Sequence, residues 1–161
     1  MKSLKTPVTV LAILAAMTAC SGGSGSTSGT TTSPATFEVT GAMTVSPDYA
    51  QLWRDAGGAK DAASIEGLEC QGGSGYGDIA TGSQVTVRDG AGKVVAVGQL
   101  AKGVARPVGK DGEFSAANCS FALTVNGVPK GSAFYSVEVA HRGQVQFAAA
   151  DIQKPLSLNL E

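Results

Sequence analysis

The chain is 161 residues long and 43% hydrophobic, with 12 Lys and Arg against 13 Asp and Glu, a formal net charge of −1, one histidine and three cysteines. This balance leaves no basic stripe to neutralise phosphates, which argues against nucleic acid as a partner. With one histidine, any His-ligated metal centre or Ser/His/Asp set has to run through His141.

The first residues set the address. Lys2 and Lys5 form a positive leader, and Val8–Met17, VTVLAILAAM, is an apolar run of ten, short of the roughly 20 residues a spanning helix needs. Residues 1–19 therefore read as a signal peptide, outside the fold. Met17–Cys20, MTAC, resembles the bacterial lipobox, with Met17 where Leu is usual. The resemblance implies that Cys20 becomes a lipidated N-terminus. The alternative is an ordinary secretory signal with an incidental thiol at Cys20, an odd group to leave in an oxidising compartment. Without residues 1–19 the chain keeps 10 basic against 13 acidic residues, a formal charge of −3. Membrane attachment would then rest on the acyl chains at Cys20, of which more than one is needed. Ser21–Thr36 is dominated by Ser, Gly and Thr and has no large apolar residue. Such a chain is flexible coil, reaching roughly 20–25 Å, so residues 20–36 read as the lipidated cysteine and its tether. The Ser/Thr density would also suit glycosylation.

Residues 37–161 are the length of one ordinary domain. Period-two alternation predicts a strand over Thr36–Val45, with Phe37, Val39, Met43 and Val45 on one face. The next segment, SPDYAQLWRDAGG, predicts a short helix: Ser46 as N-cap, Pro47 at the first helical position, Asp48 in the first turn and Gly57-Gly58 as the stop. Tyr49, Leu52, Trp53 and Ala56 share one face. That stripe is expected to fasten the helix to the core, an exposed recognition role for Trp53 being the alternative. Strands follow at Gln84–Asp89, Lys93–Leu100 and Cys119–Val128, then two around His141-Arg142-Gly143, and Leu156–Leu160. About seven strands, one short helix and regularly spaced turns predict an all-β sandwich.

Cys70 and Cys119 are the two cysteines besides Cys20. In an exported domain they are expected to pair, because an oxidising compartment favours the disulfide. Their separation is wrong for a Cys-x-x-Cys redox motif.

The stretch Cys70–Ile79, CQGGSGYGDI, looks most like chemistry. Gly75–Ala80 spells G-x-G-x-x-A, but a dinucleotide fingerprint needs a strand before it and a helix opening within it. Here a cysteine precedes and the strand signal QVTV follows. Between Gly103 and Gly109-Lys110 lie five residues where a P-loop has four, and Asp111 stands where Ser or Thr would hold magnesium. Neither G-x-S-x-G nor S-x-x-K occurs. His141, in a predicted hairpin tip, reads as exposed more readily than catalytic. Asp78, Asp89, Asp111 and Glu113 lie on predicted loops and could meet as paired carboxylates or as a dispersed calcium site, although acids beside glycine are more often turn formers. No cofactor and no metal is expected.

As a set, CQGGSGYGDIATGSQVTVRDGAGKVVAVGQL and CSFALTVNGVPKGSAFYSVEVAHRG resemble a group of small exported or lipid-anchored actinobacterial proteins. In these a Cys- and Gly-rich segment ending Tyr-x-Asp-Ile precedes a V-x-V-x-D-x-x-G-K hairpin, then Cys-x-Phe, Val-Pro and a Val-Glu-Val-x-His-Arg-Gly strand end. The likeness covers residues 66 to 148, with Ser74-Gly75 where members often have Gly-Gly. It implies an exported address and no reaction. More loosely, NGVPKGSAFYSVEV is similar to transthyretin-like and carboxypeptidase-regulatory-like sandwiches, which implies an Ig-like or transthyretin-like fold used for binding or spacing.

The reading that results is a cell-envelope lipoprotein anchored to the membrane at Cys20, acting as a non-enzymatic binding module for an envelope protein or glycan. A phage- or prophage-borne lipoprotein that excludes other phages is a related form. The alternative is an envelope hydrolase using loop carboxylates or His141. If the glycine segment binds a ligand, Tyr76, Asp78, His141 and Arg142 are the candidate contacts.

Overall fold

The structure, a computed structural model, describes residues 33–58, 61–108 and 117–160. The expected signal peptide, Cys20, most of the tether, and the loop acids Asp111 and Glu113 lie outside the described residues.

Each alternating segment forms a strand: β1 (Thr36–Val45), β2 (Gln84–Asp89), β3 (Val94–Pro107), β4 (Ala117–Pro129), β5 (Phe134–Val139), β6 (Gln144–Ala148) and β7 (Leu156–Asn159). They make one sheet in the order β6-β5-β2-β3-β4-β1-β7. Every pair is antiparallel except β1 with β7. Alternation puts Val39, Met43 and Val45 of β1 on the same side as Phe121, Leu123 and Val125 of β4. Val85 and Val87 of β2, Tyr135, Val137 and Val139 of β5, and Leu156 and Leu158 of β7 join them in one buried cluster. Residues from opposite ends of the sheet share that core, so the sheet is curled.

The curl is made in β3. This fourteen-residue strand pairs with β2 up to Gln99 and with β4 from Gln99 to Pro107, and its register slips between Leu100 and Gly103. A bulge bends and twists a strand, which lets β3 serve both halves of the sheet. Gly103 sits at the bend for a steric reason. A Cβ there would lie 2.4 Å from the Cys70 carbonyl oxygen and 2.5 Å from the Phe121 ring.

The helix α1 (Tyr49–Asp55) begins two residues later than expected. Its N-cap is Asp48, whose carboxylate accepts from Gln51 N at 3.1 Å, and not Ser46. Ser46 and Pro47 stay extended because they pair with the glycine segment: Pro47 bridges Gly72, Gly73 N donates to Ser46 O, and Asp48 N donates to Gln71 O. Leu52 is fully buried and Tyr49 and Ala56 pack against the core, but Trp53 is 49% exposed. The expectation that Trp53 fastens the helix is thus corrected. A helix of seven residues has room for one central anchor, Leu52, and the Trp53 ring lies beside Gly58 past the helix end.

Candidate functional site

The glycine segment is an irregular crossing, stitched down on both sides. Residues 67–70 run beside β3 through bonds from Gly67 N to Ala105 O, Ala105 N to Leu68 O and Cys70 N to Gly103 O, and the Cys70–Cys119 disulfide fixes this strip to β4. Beyond Cys70 the chain curls on itself: Gly72 N donates to Ile79 O, Tyr76 N to Gly73 O and Ile79 N to Tyr76 O. Backbone crosses backbone here. A Cβ on Gly72 would meet Tyr76 O at 2.0 Å, and one on Gly73 would meet Pro47 O at 2.4 Å. These two glycines are needed for space.

The β5–β6 hairpin reaches this crossing. Its turn places Ala140 at φ 46° and His141 at φ 63°, closed by Arg142 N donating to Val139 O at 2.9 Å. Two successive left-handed residues give the mirror-image turn whose twist matches that of the flanking strands. Next to it, the Arg142 side chain clasps the glycine segment. Its Nε donates to Asp78 Oδ2 at 2.8 Å, its Nη2 donates to Asp78 Oδ1 and to the Gly75 carbonyl, and its guanidinium carbon lies 5.2 Å from the centre of the Tyr76 ring. A two-toothed guanidinium–carboxylate pair over an aromatic face joins charge-assisted hydrogen bonds to a cation–π contact. The hydrogen-bonded Arg142 holds the Asp78 carboxyl below the usual carboxylate range, and Asp78 in turn raises the Arg142 pKa.

Of the four candidate contacts, Tyr76, Asp78 and Arg142 therefore come together, and His141 does not join them. Its side chain is 89% exposed, and Nδ1 lies 3.3 Å from Glu138 Oε1, which belongs to the opposite, polar face of β5. Glu138 also meets Arg88 at 3.5 Å. Of the loop acids that could meet as paired carboxylates, the two described ones, Asp78 and Asp89, stand apart. Asp78 precedes β2 and Asp89 ends it, so about 20 Å of strand lies between them. Asp89 Oδ1 instead accepts from Ala91 N and Lys93 N in the β2–β3 turn. Among the described residues, no three His, Cys, Asp or Glu side chains come together as metal ligands.

A second feature was not read from the sequence. β6 and β7 are the two ends of the sheet, and the curl brings them face to face across a cleft of about 300 Å3. Val137, Val139 and Val145 line one side, Met43, Leu158 and Leu160 the other, and Arg142 stands at its margin. The apolar alternation of these strands was visible, but which strands are ends depends on sheet order. Compared with known protein families, curated proteins and solved structures, the chain matches none.

Proposed function

We propose that this chain is an exported binding module of the cell envelope, lipid-anchored at Cys20 and presented on the Ser/Gly/Thr tether, without catalysis of its own. The observation that carries this reading is the Arg142 clasp. Two of the groups through which a hydrolase could work are committed elsewhere: Asp78 ties the hairpin to the glycine crossing, and His141 faces Glu138 in solvent. What results is a disulfide-held end of the sheet with Tyr76 and Arg142 on it, a recognition surface in character. Among the described residues no helix is long and apolar enough to cross a membrane, so in this reading the acyl group supplies the attachment.

We group the curled sheet with the Ig-like and transthyretin-like sandwiches. Its two halves face one core, β3 passes from one half to the other, and Tyr135 OH donates to Pro129 O at 2.7 Å. A strand tyrosine bonded to backbone a few residues upstream also pins a corner in Ig-type sandwiches. The likeness to small actinobacterial envelope proteins belongs to the same proposal.

The test is metabolic labelling of the full chain in a bacterial host with an alkyne fatty acid. Wild type is expected to carry the label and sediment with membranes, and Cys20→Ala to lose both. An unlabelled wild-type chain would remove the anchor. Any partner captured by the chain from Ser33 onward through the Tyr76–Arg142 end should still be captured by Asp89→Asn, at a loop acid away from the clasp, whereas turnover lost in that variant would establish the hydrolase.

A further inference from the structure

We infer that the cleft between β6 and β7 binds an amphiphilic anion, a medium-length acyl chain ending in a carboxylate, with its tail in the cleft and its head at Arg142. The inference rests on the binding-module reading and names its ligand class.

The tail site follows from the sheet order. Val145 stands opposite Val137 in the β5–β6 ladder and so shares the inward, apolar face of the sheet. It is nevertheless 49% exposed, because no strand lies beyond β6 to cover it. Across the gap Met43 and Leu158, both nearly buried, form the facing wall. The lining is aliphatic, which suits a flexible hydrocarbon, and the volume of about 300 Å3 is at the lower end of small-molecule sites. Ser157 and Asn159 supply polar groups along the margin.

The head site follows from charge. Among the described residues, Arg142 is the one charged residue lining the cleft, and no acid lines it. Its Nε and Nη2 are taken by Asp78 and Gly75, which leaves Nη1 without a partner among the described residues. The clasp thus holds a guanidinium with donor capacity to spare at the mouth of an apolar slot. A carboxylate can use that capacity without displacing Asp78, since guanidinium carries five donors. A neutral alcohol can accept a hydrogen bond there but brings no charge to pair with the guanidinium.

The experiment is calorimetric titration of decanoate into the chain from Ser33 onward, which contains every core residue and the disulfide. Saturable one-to-one binding is expected. Val145→Asp, at a half-exposed position away from the clasp, should abolish it. Arg142→Gln should weaken it about tenfold, as for one charge-assisted hydrogen bond, with Arg142→Lys in between. 1-Decanol should bind at least as weakly as decanoate binds Arg142→Gln. Absence of saturable binding, indifference to both Val145→Asp and Arg142→Gln, or equal affinity for decanol would overturn the proposal. So would a dimer in sedimentation that Val145→Asp dissociates and decanoate does not, because the cleft would then belong to a second copy. Failure here with Cys20 labelling intact removes the ligand class alone, whereas lost labelling with decanoate binding intact removes the anchor alone.

Discussion

At the scale of single residues, Arg142 and its neighbour His141 show how one turn sorts two candidates into different roles. In the hairpin tip His141 adopts φ 63° with its ring in solvent, and Arg142 is delivered onto Asp78. A left-handed conformation disfavours any side chain with a Cβ, by roughly 1–2 kcal/mol, and the second position of this turn is one where glycine is preferred. His141→Gly is therefore expected to raise stability by about 0.5–1 kcal/mol after the entropy of the unfolded glycine is counted, read by urea unfolding. A destabilised variant would mean that the contact with Glu138 outweighs the strain. The Asp78 clasp carries a pH signature of definite sign. Its folded-state pKa is depressed by Arg142, so its contribution is present above the unfolded carboxylate value and is lost as pH falls through the folded one. Asp78→Asn should be the less stable protein at neutral pH, with the gap closing below about pH 4. A gap that persists in strong acid would assign the effect to packing.

At the scale of elements, the glycine crossing and α1 are one unit, joined by the Pro47–Gly72 bridge and the bond from Gly73 N to Ser46 O. The absence of a Cβ makes that crossing possible. Gly72→Ala forces a carbon to within 2.0 Å of the Tyr76 carbonyl oxygen, so a loss of roughly 1–3 kcal/mol or more is expected, in the range of overpacked sites. On α1 the two large apolar residues should separate clearly. Leu52→Ala should cost about 2–5 kcal/mol, and Trp53→Ala much less, because half of its surface already faces water. Thermal melts of the two variants decide this, and comparable losses would mean that the Trp53 ring is structural. What could be read from the sequence divides along the same line. Strands were legible because alternation at Val85, Val87, Phe121, Leu123 and Val137 is imposed locally by a half-buried ladder. The helix cap was misplaced because Ser46 and Pro47 are claimed by Gly73 and Gly72, far along the chain, and Trp53 was misplaced because periodicity gives a face but not its depth. Tyr76, Asp78 and Arg142 were named, with His141, as candidate contacts of one ligand and not as partners of one another. Their meeting was not legible, since it depends on β5 lying next to β2, and the cleft was missed because no local pattern marks β6 and β7 as ends.

At the scale of the whole molecule, the sheet and the glycine end are held by different forces, which predicts an order of unfolding. The sheet buries a continuous core on both sides of the β3 bend and keeps its long β3–β4 and β1–β4 ladders. The crossing at residues 67–79 has little apolar burial besides Cys70 and Ile79 and relies on a few backbone bonds, the Arg142 clasp and the disulfide. That bridge spans a sequence separation of 49 residues, and closing a loop of this length restricts the unfolded chain by an amount worth about 4 kcal/mol on the chain-entropy account. Replacing Cys70 and Cys119 with Ala should lower global stability by about 2–4 kcal/mol. It should also leave the crossing as the first region to open, since a segment poor in buried apolar contacts lies at the low end of local stability. Amide hydrogen exchange separates the two effects. In the double variant the amides at positions 70, 72, 76 and 79 are expected to lose protection well before the amides of Val39, Leu123 and Val125, and the glycine end should detach from a sheet that stays folded. Loss of protection in both regions together would mean that the disulfide is part of the sheet's own cooperative unit, and that the crossing, Arg142 and the β6–β7 cleft unfold with it as one body.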